Sequence, residues 1–384
     1  MSETVPLDLS VDRVRVFLDG EIVGSLTLSP VKTVAFSYES SWLSSGFSIS
    51  PLSLPLREGV FVAKRDPLHG LFGAFDDSMP DGWGRLLTDR LLRQGGIDPY
   101  SIGTLTRLSI VGSSGMGALE YEPAADIENG VAATDLDDIA RECANLLETD
   151  FSEDLDQLFA LGGSSGGARP KILTEVDGEE WIIKFPSSVD SANIGEQEYQ
   201  ISVLARECGI DMPETRLFAS AQCSGYFGVR RFDRTRDDNG TEHKVHMISA
   251  GGLLETSHRI PNLDYVLLMR LTMRVCNSAE ECERLYRLMC FNVFIGNRDD
   301  HAKNFSYLYD RSRQAWRLSP GYDLTENPGI NGEHTTSVNG RGKNITVADL
   351  TGVGVKAGIS RARCIAIANE MQDRIRDAGF AVRD

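Results

Sequence analysis

Apolar and polar positions alternate at Val14, Val16 and Leu18, and the pair Asp19-Gly20 follows at once. A period of two places every second side chain on one face of a strand, and Asp-Gly supplies the positive φ of a tight hairpin turn. A hairpin is predicted over residues 10–28, returning through Ile22 to Leu28. The Ser-, Pro- and Leu-rich stretch 40–56 predicts irregular chain. Pro80-Asp81-Gly82-Trp83-Gly84-Arg85 then opens a helical run through Leu92, which Gly95-Gly96 stops. Residues 123–134 are small and polar and read as a connector. From Leu136 to Leu147 the period lengthens to that of a helix, with Ile139, Cys143, Leu146 and Leu147 on one face.

The second half predicts strand, turn and strand at Lys171–Val176, Asp177-Gly178 and Glu179–Phe185. Glu196 to Cys208 reads as an amphipathic helix ended by Gly209. Tyr226–Phe232 reads as a strand and Leu263–Val275 as a helix. Ser278 with Glu281 is a capping-box pattern, opening a helix through Leu285, Leu288, Met289, Phe291 and Ile295. Ser306–Tyr309 and Ala315–Leu318 predict another hairpin.

The chain has 384 residues, enough for two or three packed units, and its 41% hydrophobic and 25% charged content is that of a globular protein. No apolar run is long enough for a membrane span, and residues 1–12 carry no apolar leader. Seven cysteines without any CxxC read as reduced, buried thiols, so a cytoplasmic location is expected. The net charge of −17 works against direct DNA binding, so contact with DNA is expected only through a basic partner.

Four features carry candidate chemistry. Leu161-Gly162-Gly163-Ser164-Ser165-Gly166-Gly167-Ala168-Arg169-Pro170-Lys171 precedes the Lys171–Phe185 hairpin. Glycines let main-chain N–H groups approach phosphate oxygens, although a flexible linker has the same composition. Lys184 lies inside an apolar strand, where an ammonium needs a partner or a route to solvent. Glu198 follows on the next helix.

Asp299 and Asn304 stand five residues apart after Gly296, the D-x-x-x-x-N spacing of a kinase catalytic loop. Asp299 would orient an acceptor hydroxyl, Lys303 would neutralise a transferring phosphoryl group, and Asn304 would hold Mg²⁺. A solvated charged loop or a Ca²⁺-like carboxylate cluster is the alternative. Asp323, one hairpin downstream, reads as the second Mg²⁺ ligand or as a turn residue after Pro320-Gly321. His301 either shapes this loop or touches nucleotide. Trp83 reads as a core anchor, Arg341 and Lys343 as a solvated turn, and His243, His246 and His258 lack metal spacing.

Glycine loop, strand lysine, helix glutamate, D-x-x-x-x-N, hairpin and aspartate occur in kinase order. With Lys184-Phe185-Pro186, Phe232-Asp233-Arg234, Asp299-Asp300-His301-Ala302-Lys303-Asn304-Phe305, Tyr322-Asp323-Leu324 and Gly332-Glu333-His334, the sequence resembles the HipA family, kinase toxins of bacterial toxin–antitoxin pairs. Val23-Gly24-Ser25-Leu26, Pro80–Arg85 and Gly117-Ala118-Leu119 extend the resemblance through the N-terminal half.

The resemblance implies an α+β, bilobal, protein-kinase-like fold with an extra N-terminal subdomain and a mainly helical C-terminal lobe. The expected divisions are 1–125, 126–233 and 234–384. It implies a serine/threonine protein kinase using ATP and Mg²⁺. Gly163, Ser164, Ser165, Gly166, Lys184, Glu198 and His301 would serve the nucleotide, with Phe232 on adenine and Asp233 near ribose. Ser164 and Ser165 are the autophosphorylation candidates. The implied target is a protein, a translation factor or an aminoacyl-tRNA synthetase such as glutamyl-tRNA synthetase. The implied partner is a small helix-turn-helix antitoxin that contacts DNA. A small-molecule kinase and a silent nucleotide-binding co-repressor are the rival readings.

Overall fold

The computed structural model describes residues 10–124, 135–149, 152, 154–237 and 239–383. Most of the expected connector at 123–134 and most of the stretch 1–12 lie outside the described residues. The chain forms two units, Met1–Glu196 with Thr215–Met247, and Gln197–Glu214 with Ile248–Asp384. These run across the divisions expected at 125/126 and 233/234.

The first unit opens on β1 (Arg13–Leu18) and β2 (Glu21–Leu28), joined through Asp19 and Gly20 at φ +49° and +76°. Val14, Val16 and Leu18 are buried, as the alternation requires. With β3 (Val34–Tyr38), β4 (Phe61–Val62) and β5 (Glu120–Glu122) they form a sheet of order β4-β3-β2-β1-β5. The stretch 40–56, expected irregular, contains a short helix α1 (Ser40–Ser45). Helices α2 (Gly73–Asp76), α3 (Gly82–Gln94) and α4 (Thr104–Val111) precede β5. Then come α5 (Leu136–Thr149) and α6 (Leu155–Gly162).

A second sheet has the order β6-β7-β9-β8, from β6 (Lys171–Val176), β7 (Glu179–Lys184), β8 (Thr215–Phe218) and β9 (Tyr226–Arg230). Trp83 and Leu87 of α3 share one core with Leu158 and Phe159 of α6 and with Ile172, Trp181 and Ile183 of this sheet. Helix α3 of the N-terminal segment thus packs in one core with the β6–β7 hairpin. The pair β10 (Arg234–Arg236) and β11 (Glu242–Lys244) lies beyond the expected 233/234 division and still belongs to this unit.

Helix α7 (Ile194–Glu207) carries the chain into the second unit, and β12 (Met247–Ser249) re-enters it. There follow α8 (Ala250–Leu254), β13 (Leu263–Asp264) and α9 (Tyr265–Cys276). Helix α10 (Ala279–Ile295) is buried along its last two turns. Ser278 caps it by accepting from the Glu281 N–H. The expected box is not closed, because the Glu281 carboxylate instead accepts from Leu318 N–H at 3.0 Å and Arg284 at 2.6 Å.

Gly296, at φ +71°, ends α10 in the left-handed conformation that a side chain would oppose. The hairpin β14 (Ser306–Asp310) and β15 (Ala315–Leu318) follows as expected. Strand β16 (Thr336–Ser337), α11 (Val347–Lys356) and α12 (Arg361–Asp377) complete an α+β chain. Among the described residues no helix is long and apolar enough to cross a membrane. All seven cysteines are free thiols, and all but Cys223 are buried.

Candidate active site

In the first unit, the glycine loop leaves α6 and returns into β6. Ser164 and Ser165 are buried, 9% and 2% exposed. Their hydroxyls donate to Ser114 O at 2.8 Å and Gly162 O at 2.6 Å. Both autophosphorylation candidates are thus covered in this conformation of the loop. Lys171 and Lys184 are direct cross-strand partners, and opposed residues of an antiparallel pair share a face. Lys171 is 8% exposed and its ammonium donates to Gly166 O. The Lys184 ammonium lies 5.5 Å from the Phe227 ring centre. Like charges placed opposite one another are unfavourable. An anion held beside the loop would offset that cost. Lys171 was not singled out in the sequence, because only the β6–β7 register makes it the partner of Lys184.

Asp233, expected near ribose, sits in a buried ion-pair network. It is fully buried, and its carboxylate accepts from Arg231 Nη2 at 2.8 Å, Arg234 Nη1 at 3.0 Å and Gly117 N–H at 2.7 Å. Burial acts to raise its pKa, but the two guanidinium charges outweigh that and hold the carboxyl well below the usual range. Those three bonds all reach Oδ2, and Oδ1 accepts from Arg231 Nε at 3.0 Å, so both oxygens are engaged within the protein. Arg231 also pairs with Glu180 at 3.0 Å. Phe232 between them is half-buried.

In the second unit, the loop after α10 separates two neighbouring aspartates. Asp299 is exposed and Asp300 fully buried. Asp300 Oδ2 accepts from Tyr265 Oη at 2.9 Å and lies 3.0 Å from His334 Nδ1, and Oδ1 accepts from Thr336 N–H at 3.1 Å. Tyr265 also accepts from the Asn292 amide at 3.1 Å. Burial, reinforced by Asp300, pushes the Tyr265 hydroxyl well above its ordinary pKa, which keeps it a proton donor. Asp300 thereby anchors the loop from beneath and leaves Asp299 at the surface.

Asn304 donates its side-chain amide to Asp299 O at 2.7 Å, so the amide oxygen is the atom it has to offer. His301 closes the short turn Ala302–Asn304 by accepting at Nδ1 from Lys303 N–H, and its ring lies 5.4 Å from that of His258. This bond is compatible with the loop-shaping reading of His301. Tyr322 Oη donates to Lys303 O at 2.5 Å and lies 2.6 Å from Ser306 Oγ. Asp323, at φ +51°, presents its carbonyl to the Asn297 amide at 3.4 Å. The Tyr322-Asp323 segment is therefore tied to the loop at both residues. One amide oxygen and one carboxylate are the hard donors that Mg²⁺ takes alongside substrate phosphates, so Asn304 and Asp323 fit that ion. Glu198 is 3% exposed and lies on α7 within this unit. Arg341 and Lys343 pair with Asp349 and Glu333 on the surface, as a solvated turn would.

Comparison with known proteins bears on both units. The HipA N-terminal domain family matches residues 14–122, and the HipA-like C-terminal domain family matches residues 163–379. Two Sinorhizobium fredii NGR234 proteins named as candidate kinases, Y4dM and Y4mE, are each 27% identical to the chain. These alignments cover 94% and 90% of this chain and 89% and 84% of the relatives. HipA of Shewanella oneidensis MR-1, solved with HipB and operator DNA, superposes with a TM-score of 0.73 at 17% identity. That match covers 95% of this chain and 89% of the Shewanella chain, and shows the same fold.

Proposed function

The chain belongs to the HipA family, and on that premise we propose that it is an ATP-dependent serine/threonine protein kinase acting as the toxin of a toxin–antitoxin pair. One observation carries the reading. Asp299 is held at the surface while Asp300 anchors the loop and Asn304 is fixed by its bond to Asp299 O.

In the proposed reaction the acceptor hydroxyl attacks the γ-phosphorus of ATP, the bond to the β-phosphate oxygen breaks, and ADP leaves. Asp299 orients the hydroxyl and takes its proton. Lys303 offsets charge on the transferring group. Lys171, Lys184 and the glycine-loop amides hold phosphates, and Glu198 positions Lys184. Asn304 and Asp323 would hold Mg²⁺, which would supply charge neutralisation at the phosphate oxygens. Phe232 packs on adenine. Positioning and electrostatic stabilisation supply most of the rate in such a scheme.

The target is a protein, with an aminoacyl-tRNA synthetase such as glutamyl-tRNA synthetase the first to test. The partner is a small helix-turn-helix antitoxin. With a net charge of −17, the chain reaches DNA through that partner rather than directly. Self-phosphorylation falls on Ser164 or Ser165 and requires the loop to leave its packed position.

Intact-mass spectrometry after incubation with Mg²⁺-ATP tests the reading, beside Asp299→Ala. A gain of one phosphate in the native chain alone, mapped to Ser164 or Ser165, supports it. No nucleotide binding by calorimetry and no phosphate gain on chain or target would overturn it.

A further inference from the structure

Asp81 occupies the N-cap of α3, where an aspartate ordinarily accepts from the first amides of its own helix. Here the side chain makes no capping bond. Its Oδ1 accepts instead from the main-chain N–H of Gly167, 86 residues along the chain. The contact is reciprocal, because Trp83 N–H donates to Gly167 O at 2.8 Å.

The glycines of this segment report how close the approach is. A Cβ on Gly82 would stand 2.2 Å from Gly167 O, and one on Gly84 would stand 2.2 Å from Ser165 O. Gly82 also has φ +45°. Two glycines in the first turn of a helix each cost about 0.5–1 kcal/mol relative to alanine, so helix stability does not account for them. Backbone-to-backbone contact with the glycine loop does. Trp83 Nε1 adds a bond to Lys171 O at 3.1 Å, where the loop enters β6. The one charged acceptor in this set is Asp81, and charge-assisted bonds are roughly twice as strong as neutral ones.

We propose that Asp81 is a positioning residue for the glycine loop, and that its bond to Gly167 N–H holds the loop packed, with Ser164 and Ser165 covered, or on breaking lets it swing out. The N-terminal segment then governs a step in the middle of the chain that it does not itself catalyse. The significance for nucleotide and self-phosphorylation rests on the kinase reading, but the latch itself does not.

The test is amide hydrogen exchange of the full chain without nucleotide, in the native protein and in Asp81→Ala and Asp81→Asn. Asn keeps an acceptor oxygen in the same place, whereas Ala removes it. Exchange over 161–170 is expected to rise about tenfold or more in Asp81→Ala, the change that follows from losing one charge-assisted bond. In Asp81→Asn it is expected to lie nearer the native value, with peptides from β6 and β7 unchanged in both. Native-like exchange over 161–170 in Asp81→Ala would overturn the proposal. So would an equal rise throughout β6 and β7, which would make Asp81 a general element of the core. Because no nucleotide is present, a chain that failed to bind ATP would leave this result standing.

Discussion

Asn304 donates its side-chain amide to the main-chain carbonyl of Asp299 at 2.7 Å, closing the D-x-x-x-x-N loop upon itself. The bond fixes the spacing between the residue assigned to the acceptor hydroxyl and the residue assigned to the cation. Asp299 itself lies at the surface. The adjacent Asp300 carries the structural burden.

Exchanging these neighbours separates chemistry from stability. Asp299→Ala is expected to abolish phosphoryl transfer and leave the urea midpoint unchanged. Asp300→Ala strands the Tyr265 hydroxyl and the Thr336 N–H in a fully buried site. Each stranded group costs about 1–3 kcal/mol, so a loss of roughly 3 kcal/mol is expected. Urea denaturation of both variants, with phosphate incorporation read in parallel, checks the assignment. Equal destabilisation by the two would remove it.

The Asp233 network makes a second separation. Arg231→Ala leaves a buried carboxylate facing Arg234 and the Gly117 amide alone. Breaking a buried pair in this way costs about 3–5 kcal/mol. Asp233→Asn is expected to lower stability too, while nucleotide affinity at a temperature where the protein stays folded is unchanged. A titration showing ribose-dependent loss of affinity in Asp233→Asn would restore the role first expected of it.

The contrast between Asp299 and Asp233 marks what sequence carries. The catalytic-loop reading rests on contiguous signals, a helix stopped at Gly296 and a fixed five-residue spacing, and these are local. The partners that tell Asp299 from Asp300 come from 34 to 36 residues away, at His334, Tyr265 and Thr336. Asp233 reads as a residue near ribose, and the donor from Gly117, 116 residues distant, is not legible in the sequence. The Pro80–Arg85 motif was visible as a helix start, and its contact with Gly167 was not. Period and turn chemistry place elements, and long-range pairing assigns the side chains between them.

His246 gives a pH dependence with a definite sign. Burial lowers its pKa to about 4, against which the bond to Ile49 O at 2.8 Å acts weakly. Its other ring nitrogen is buried without a hydrogen-bond partner, so a second proton would have none. The folded pKa lies below the unfolded value of about 6.5, so the unfolded chain takes up the proton first. The contribution is whole above pH 6.5, falls as the pH drops toward 4, and levels below. For a shift of this size the loss is roughly 3 kcal/mol. Urea unfolding at several pH values should show a shallower acid slope in His246→Asn than in the native chain. Parallel slopes would show that His246 titrates normally.

Lys171 and Lys184 face each other across β6 and β7, and like charges directly opposite one another repel. A phosphate chain beside the glycine loop would meet both charges at once. Any ligand that binds the folded state alone raises its stability, by about 2.7 kcal/mol at one hundred times Kd. ADP or pyrophosphate should therefore raise the melting temperature of the native chain. Lys171→Met and Lys184→Met should each diminish that rise. Loss of one phosphate contact that weakens binding tenfold removes about 1.4 kcal/mol of the linked stability. The double variant should respond to neither ligand. Thermal melts across a ligand titration read the effect without any catalytic turnover. A full ADP response in Lys171→Met would place the phosphates on Lys184 alone and return Lys171 to a support for the loop, through its bond to Gly166 O.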